Sequence, residues 1–394
     1  MALFRFGRSS QDETRSWSLS QFSPALTNYA IADTGRLITT ERALHDAAVY
    51  ACVDLISSSV ASLPVDVLQT SGNVRRPVEP VPSLLANPSA MVPLDVWLYQ
   101  VAWSMATDGN AWGMVTQTNE RGYPTTIELL NPDAVRNRRL VDGVPTVDVE
   151  DKTLQKWPLG QLWHAPGKMV PAGSWYAVGP IHYGATEIDA SLAVQSYAAR
   201  YYTDGGHPSA IVYTDQTIDA DDAAKVKAAF MKATSGSREP AVFGNGWKYE
   251  SVQSSPESAQ LIESQRMTAV QIARRFLVPP AMIYAAMSGE SITYQNVSQS
   301  DLQYLKHSLD RYLVRIEKAL GSLLPGPQIV KFNRDALLRA DTTTRYEAHL
   351  QSLKGAWRTV NEIRLLEDEP AFDDAAYDQP GFPLAPGPTD AGAI

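Results

Sequence analysis

Between residues 255 and 324 the apolar positions fall into two helical stripes separated by a stop. Ser255-Pro256-Glu257 predicts a helix start, because the serine oxygen accepts an orphan N–H and proline supplies the first helical φ. Ile262, Ala269, Val270, Ala273 and Phe276 then keep to one face. Pro279 and Pro280 end that helix, since proline lacks the N–H donor and biases the residue before it out of the α region. The following AAMSGESITYQN is small and polar and reads as a loop. Ser298, with Asp301 three residues on, opens a second helix whose stripe runs Leu302, Leu305, Leu309, Leu313, Ile316, Leu320 and Leu323. Two helices thus bracket a loop tip.

Elsewhere the pattern is mixed. Residues 1–39 are polar and irregular and read as a flexible arm. A helix from Thr40 places Val49, Val53, Ile56, Val60 and Leu63 on one face and ends at Pro64. Val65 to Gln69 alternates as a strand before a Gly72-Asn73 turn, and Leu94 to Ala106 is an aromatic amphipathic helix with Gly109 placed to cap it. Short strands come next along the chain: Ala111 to Thr118, a turn through Gly122, Thr125 to Leu130, Val135 to Val149 broken at Asp142-Gly143, and Leu162 to Ala165. Helices followed by hairpins predict an α+β fold, not alternating βαβ units. Ala185 to Asp204 is a helix closed by Gly205-Gly206. A small unit succeeds it: strand Ala210 to Tyr213, helix Asp221 to Lys232, strand Ala241 to Phe243, an Asn245-Gly246 turn and strand Trp247 to Val252. LPGPQ breaks the long helix after Leu324, and residues 332–341 connect it to the C-terminal region. There, Thr342 to Gly355 and Asn361 to Glu367 form a helical hairpin around Trp357. The Pro-, Gly- and Asp-rich end is expected to be disordered.

Composition narrows the function classes. With 394 residues, 44% apolar and 20% charged, the chain is globular and has room for two or three domains. No apolar run reaches the ~18 residues of a membrane span, and the start does not read as a secretory signal. A single cysteine, Cys52, excludes an intramolecular disulfide framework, fits a reducing compartment and reads as packing. The net charge of −9 argues against a static grip on nucleic acid, which needs cations to displace phosphate counterions. It does not argue against a passage through which DNA slides.

Catalytic motifs are missing. Gly167-Lys168 is followed by Met169, whose thioether cannot ligate magnesium as a P-loop hydroxyl does. The six histidines have no metal spacing, and His164, within an apolar strand, reads as a core residue. Asp219, Asp221 and Asp222 read as helix capping before a cation is invoked. No catalytic residue, metal ligand or cofactor is expected.

QIARRFLVPPAMI, with a Gly/Ser loop and a long helix after it, resembles the portal proteins of tailed bacteriophages, of the lambdoid siphophage type. ACVDLISSSVASLPVDV, SLLANPSAMVPLDVW, DGNAWG, IELLNPDAV, LWHAPG and GATEIDAS fall in that family's order, so the resemblance spans about Leu44 to Asp368. The family often has serine-proline where this chain has Thr186 and Glu187, and a proline near Asp310; lacking the latter, the long helix is expected to be less kinked. The resemblance implies a portal fold assembling as a ring, with a flexible arm at 1–40 and an α+β wing at 41–184. A stem helix at 185–206, a clip at 207–254 and a second stem helix at 255–278 would come after the wing. The tunnel loop and long wing helix would occupy 279–325, a C-terminal helical crown region 326–372, and a disordered tail 373–394. The small 207–254 unit cannot bury enough surface alone, so neighbouring subunits are expected to complete it.

The resemblance also assigns sites. Met287, Ser288, Gly289, Glu290, Ser291 and Ile292 match the DNA-facing tunnel loop, which the residues alone would leave as a connector. His307, Arg311, Arg315 and Lys318 recur opposite the apolar stripe. Alone they read as a solvated or salt-bridged face beside Asp310 and Glu317; the sharper reading is a channel or subunit-interface face. Asn245, Gly246, Trp247 and Lys248 match the clip that docks the terminase large subunit and later the head-completion adaptor, while the wing meets major capsid protein or scaffold. The implied function is a portal ring, typically a dodecamer, at one capsid vertex, passing double-stranded DNA without sequence specificity during packaging, retention and ejection. The implied location is the virion, and host cytoplasm during assembly. The alternatives are a structural adaptor or minor capsid protein without a channel, and a soluble enzyme with a dispersed active site. Size in solution and the presence of a central hole separate these readings.

Overall fold

The computed structural model describes residues 30–31, 36–72, 74–203, 211–213, 248–250, 257–285, 300–336, 342–367 and 369–382, with positions 219, 221, 223–225 and 228. In chain order these form β1 (Ala30–Ile31), β2 (Leu37–Ile38), α1 (Thr40–Leu44), α2 (Ala47–Ala61), β3 (Val65–Ser71), β4 (Val74–Pro77), α3 (Ser83–Ala86), α4 (Leu94–Thr107), β5 (Asn110–Thr118) and β6 (Pro124–Leu130). Then come β7 (Val135–Val141), β8 (Val144–Val149), β9 (Lys152–Gln155), β10 (Leu162–Pro166), α5 (Pro180–Tyr183), α6 (Ala185–Thr203), β11 (Ile211–Tyr213), β12 (Lys248–Glu250) and α7 (Glu257–Phe276). The chain closes with α8 (Asp310–Gly321), β13 (Gln328–Phe332), α9 (Thr342–Lys354) and α10 (Val360–Leu366).

All described strand pairs are antiparallel, in sheets ordered β1-β2, β10-β5-β6, β7-β8-β9, β13-β3-β4 and β11-β12. Hairpins of this kind need only tight turns, and Asp142-Gly143 supplies one with both residues at positive φ. One main core holds the body together. It gathers Val49, Val53, Ile56 and Val60 of α2, Trp97, Leu98 and Met105 of α4, Ile272, Ala273 and Phe276 of α7, Leu313, Ile316 and Leu320 of α8, and Val330 and Phe332 of β13. The body is therefore discontinuous in sequence: residues 38–188 share a core with residues 272–332. A satellite cluster of Trp112, Val135, Val147, Leu154, Leu162 and Tyr176 packs between the β5 and β8 strands.

Several expectations need correction. The arm does not extend to residue 40: β1 and β2 pair, and Ile38, at 1% exposure, enters the main core. The tail is ordered through Phe382. Asn361 is buried, and its amide donates to the carbonyl of Phe372 (3.0 Å) and to Asp378 (2.7 Å), while Arg364 lies 4.0 Å over the Phe372 ring. Residues 373–382 thus fold back on the hairpin; positions 383–394 lie outside the described residues. The long helix carries no proline kink, but it contains a π turn at Leu305–Leu309. That turn inserts one residue into the helical count and rotates the stripe before it. Leu302 is accordingly 53% exposed, whereas Tyr304 is buried beside Leu305. β13 lies in a stretch expected only to break the helix, and pairs Val330 with Val67.

Candidate channel loop and its clamp

The two helices that bracket the candidate loop are fastened together at its base. α7 ends at Phe276, Leu277 adopts positive φ (62°), and Pro279-Pro280 leads into a short 3-10 turn. The fully buried Ser308 hydroxyl, in the π turn, donates to the Leu277 carbonyl and so satisfies one of the helix's orphan acceptors. Lys168 meets the same helix end from the other side, donating to the Phe276 carbonyl at 3.3 Å and lying 5.4 Å over the Tyr312 ring. A cation at a helix C-terminus opposes the negative end of the macrodipole. Lys168 is delivered there because Gly167 passes against the Gly109 carbonyl, where a Cβ would come to 2.5 Å. Burial, reinforced by the charge of Arg311, lowers the Lys168 amine from 10.5 to about 8.

The long helix is anchored on three further sides. Tyr304 donates to Ser59 (3.2 Å) and to the Leu55 carbonyl (3.3 Å) of α2, and the Trp163 indole of β10 donates to the Ala319 carbonyl at 3.2 Å. Glu317, only 5% exposed, accepts from Lys331 (2.8 Å), Arg334 (2.8 Å) and the Phe332 amide (3.1 Å), while Asp310 accepts from Arg334 at 2.6 Å. Both acidic residues of α8 are therefore committed to β13 and the turn after it. Among the described residues none of His307, Arg311, Arg315 or Lys318 has an ion-pair partner. The salt-bridged reading of that face fails because the carboxylates point elsewhere. His307, Arg311 and Lys318 are exposed, and Arg315 is half-buried.

At the same end of α7, Arg275 bridges Glu187 of α6, and Asp46 ties α2 to α6. Its Oδ1 caps α2 through the amides of Ala48 and Val49, and its Oδ2 accepts from Ser191 and from Gln195 (3.0 Å). Cys52 lies inside this core, its thiol pushed up to about 12 by burial, so it is a packing residue. His164 is likewise a core residue. Asn110 Oδ1 already accepts from the Ala177 amide, so His164 Nε2 donates to it (3.1 Å), and the ring stacks on Trp112 at 4.1 Å. Burial drives its pKa well below the ordinary value.

Met287, Ser288, Gly289, Glu290, Ser291 and Ile292 lie outside the described residues, as do Asn245, Gly246 and Trp247. Lys248 opens β12, which pairs it with Tyr213 of β11. Reading by motif passed over Lys168 once the P-loop was excluded. It passed over Glu317 as one charge among several on a helix.

The family profile described as phage portal protein matches residues 47–368. The chain belongs to the phage portal protein family. This membership makes it a portal protein, a component of the channel at a capsid vertex. It is 28% identical to the probable portal protein of Streptomyces phage phiC31, over 94% of this chain and 85% of that one. The fold is similar to a crystal structure of an HK97-family phage portal protein from Corynebacterium diphtheriae (TM-score 0.58, 18% identity, 77% of this chain and 98% of that one). It is also similar to a chain in the neck of a native gene transfer agent particle computed with C12 symmetry (TM-score 0.57, 17% identity, 82% of this chain and 91% of that one).

Proposed function

We propose that twelve copies of this portal protein close into a ring around a DNA channel, through which the genome is packaged, held and released. The observation that carries the reading is the clamp: Ser308 ties the end of α7 to the long helix and Lys168 braces the same point, so the elements flanking the intervening segment form a fixed base. Residues 287–292 would project from that base and form the aperture. Their small, near-neutral side chains suit sliding contact, and the single Glu290 repels phosphate. His307, Arg311, Arg315 and Lys318 would face the bore or the adjacent subunit. The C12 symmetry of the gene transfer agent neck supports the subunit number, and closure by rotation requires unlike surfaces to meet head to tail.

In this reading the unit at 207–254, with Asn245, Gly246, Trp247 and Lys248 at its tip, docks the terminase large subunit and later the head-completion adaptor. The wing at 41–184 meets major capsid protein or scaffold, assembly takes place in the host cytoplasm, and the role is structural, with no catalytic step assigned. The deciding experiment is light scattering with negative-stain class averages of the purified chain. Particles of several hundred kilodaltons with an axial hole are expected; a monodisperse monomer or dimer would end the reading. Alanine changes at Asn245 and Gly246 that leave terminase docking intact would refute the clip assignment alone.

A further inference from the structure

The long helix carries a row of cations that no carboxylate among the described residues answers. His307, Arg311, Arg315 and Lys318 follow one another at spacings of four, four and three, so they lie along one side of it, over about 16 Å. Asp310 and Glu317, the acids within reach on the same helix, are held by Arg334 and Lys331.

The C-terminal hairpin shows the converse. Among the described residues no apolar side chain beyond Phe332 is buried. The hairpin is joined by charge: Glu367, at the end of α10, takes Arg345 at 2.8 Å and His349 at 3.0 Å from α9. Its apolar groups are left outside. Tyr346 and Leu350, one turn apart on α9, Trp357 between the helices, Leu365 and Leu366 on α10, and Phe372 are all exposed, Trp357 by 80%. Beside them the chain is acidic, with six carboxylates and no cation in residues 367–378. Arg345 answers Glu367 and Arg364 answers Glu369, but Asp373 and Asp374 are exposed and have no ion-pair partner among the described residues.

We infer, on the strength of the ring reading, that the acidic and apolar C-terminal hairpin of one copy docks on the cationic row of the next. Within a single copy the two surfaces are exposed, so neither covers the other there. A ring closed head to tail needs two unlike surfaces on every copy, and these two are opposite in charge. Opposite patches set against each other steer encounter and fix register. Exposed apolar groups rimmed by polar ones mark a protein contact, and the hairpin has both. DNA would answer the cations alone. It offers no cover to Trp357 or the leucines, and such a row from every copy around a passage would grip phosphate and arrest sliding.

The test places a photo-crosslinking amino acid at Lys318 in the full chain, assembled from a mixture of isotopically light and heavy copies. Light–heavy crosslinks in the ring fraction, mapping to residues 346–378, are expected. Arg311→Glu with Lys318→Glu should lower ring yield at fixed protein concentration roughly tenfold or more, with unchanged monomer circular dichroism. Adding Asp373→Lys to that chain should raise the yield again severalfold. Crosslinks that map to another surface of the neighbour, or to DNA in filled particles, overturn the inference and leave the ring reading standing, and so does a charge reversal that leaves ring yield unchanged. If no ring forms from the unsubstituted chain, the ring reading itself falls and the docking falls with it.

Discussion

Replacing Lys168 with methionine isolates the electrostatics of the loop base. In the folded chain the amine sits against the Phe276 carbonyl and the Tyr312 face, and burial followed by the field of Arg311 lowers it from 10.5 to about 8. Folding therefore favours the neutral amine. Between these two values the unfolded chain holds a proton that the folded chain has released, so stability rises with pH across that window. The stabilisation is complete above 10.5 and is lost as pH falls through 8. At ~1.4 kcal/mol per unit the window spans ~3 kcal/mol, and partial exposure to water reduces this to roughly 1–3 kcal/mol. Urea unfolding followed by tryptophan fluorescence, at steps from pH 7 to pH 10.5, measures it. Subtracting the Lys168→Met curve cancels the other titrating groups. The wild type should gain ~1–3 kcal/mol relative to the variant as pH rises. Parallel curves would refute the reasoning, and an opposite slope would mean that the carbonyl and the ring hold the charged amine better than water does.

Ser308→Ala removes the bond to Leu277 and should cost ~1–2 kcal/mol, with faster amide exchange confined to residues 277–285 and 304–309. Gly109→Ala forces a Cβ to 2.5 Å from the Gly179 nitrogen at φ +89°, so a loss of ~3 kcal/mol or more, read as a lower Tm, is expected. Arg138→Met strips the buried Asp108 of its 2.7 Å partner and removes the cation from over Trp112 and Tyr176. A loss of ~3–5 kcal/mol and a collapsed near-ultraviolet tryptophan signal should result. Cys52 should resist a thiol reagent at pH 8 in the native protein and react fully in denaturant; native-state reaction at the denatured rate would contradict its burial.

The hairpins and main helices were legible because each has a local signal. Asp142-Gly143 marks its turn, Pro64 and Pro279 stop their helices, and the Leu305 to Leu323 stripe is buried as its spacing implies. What escaped depends on partners distant in sequence. β13 exists as a strand only because Val67 and its neighbours, more than 250 positions earlier, offer an edge. The π turn has no signature in single residues; it accompanies the contact between Ser308 and Leu277 across the loop. The order of residues 373–382 comes from one buried asparagine, which composition averages away. The charged face was half legible. Its spacing was in the sequence, but the commitment of Asp310 and Glu317 to Arg334 and Lys331 emerges only when β13 packs against the helix.

Because β3 receives its second neighbour from β13, and α2 its covering from α7 and the long helix, the body cannot close while the ribosome is still making the first two-thirds of the chain. Synthesis must pass residue 332 before the apolar side of the early helices is fully hidden. Half-made chains would then expose unfinished surface with no proper mate, which favours assembly from completed, released subunits over recruitment during translation.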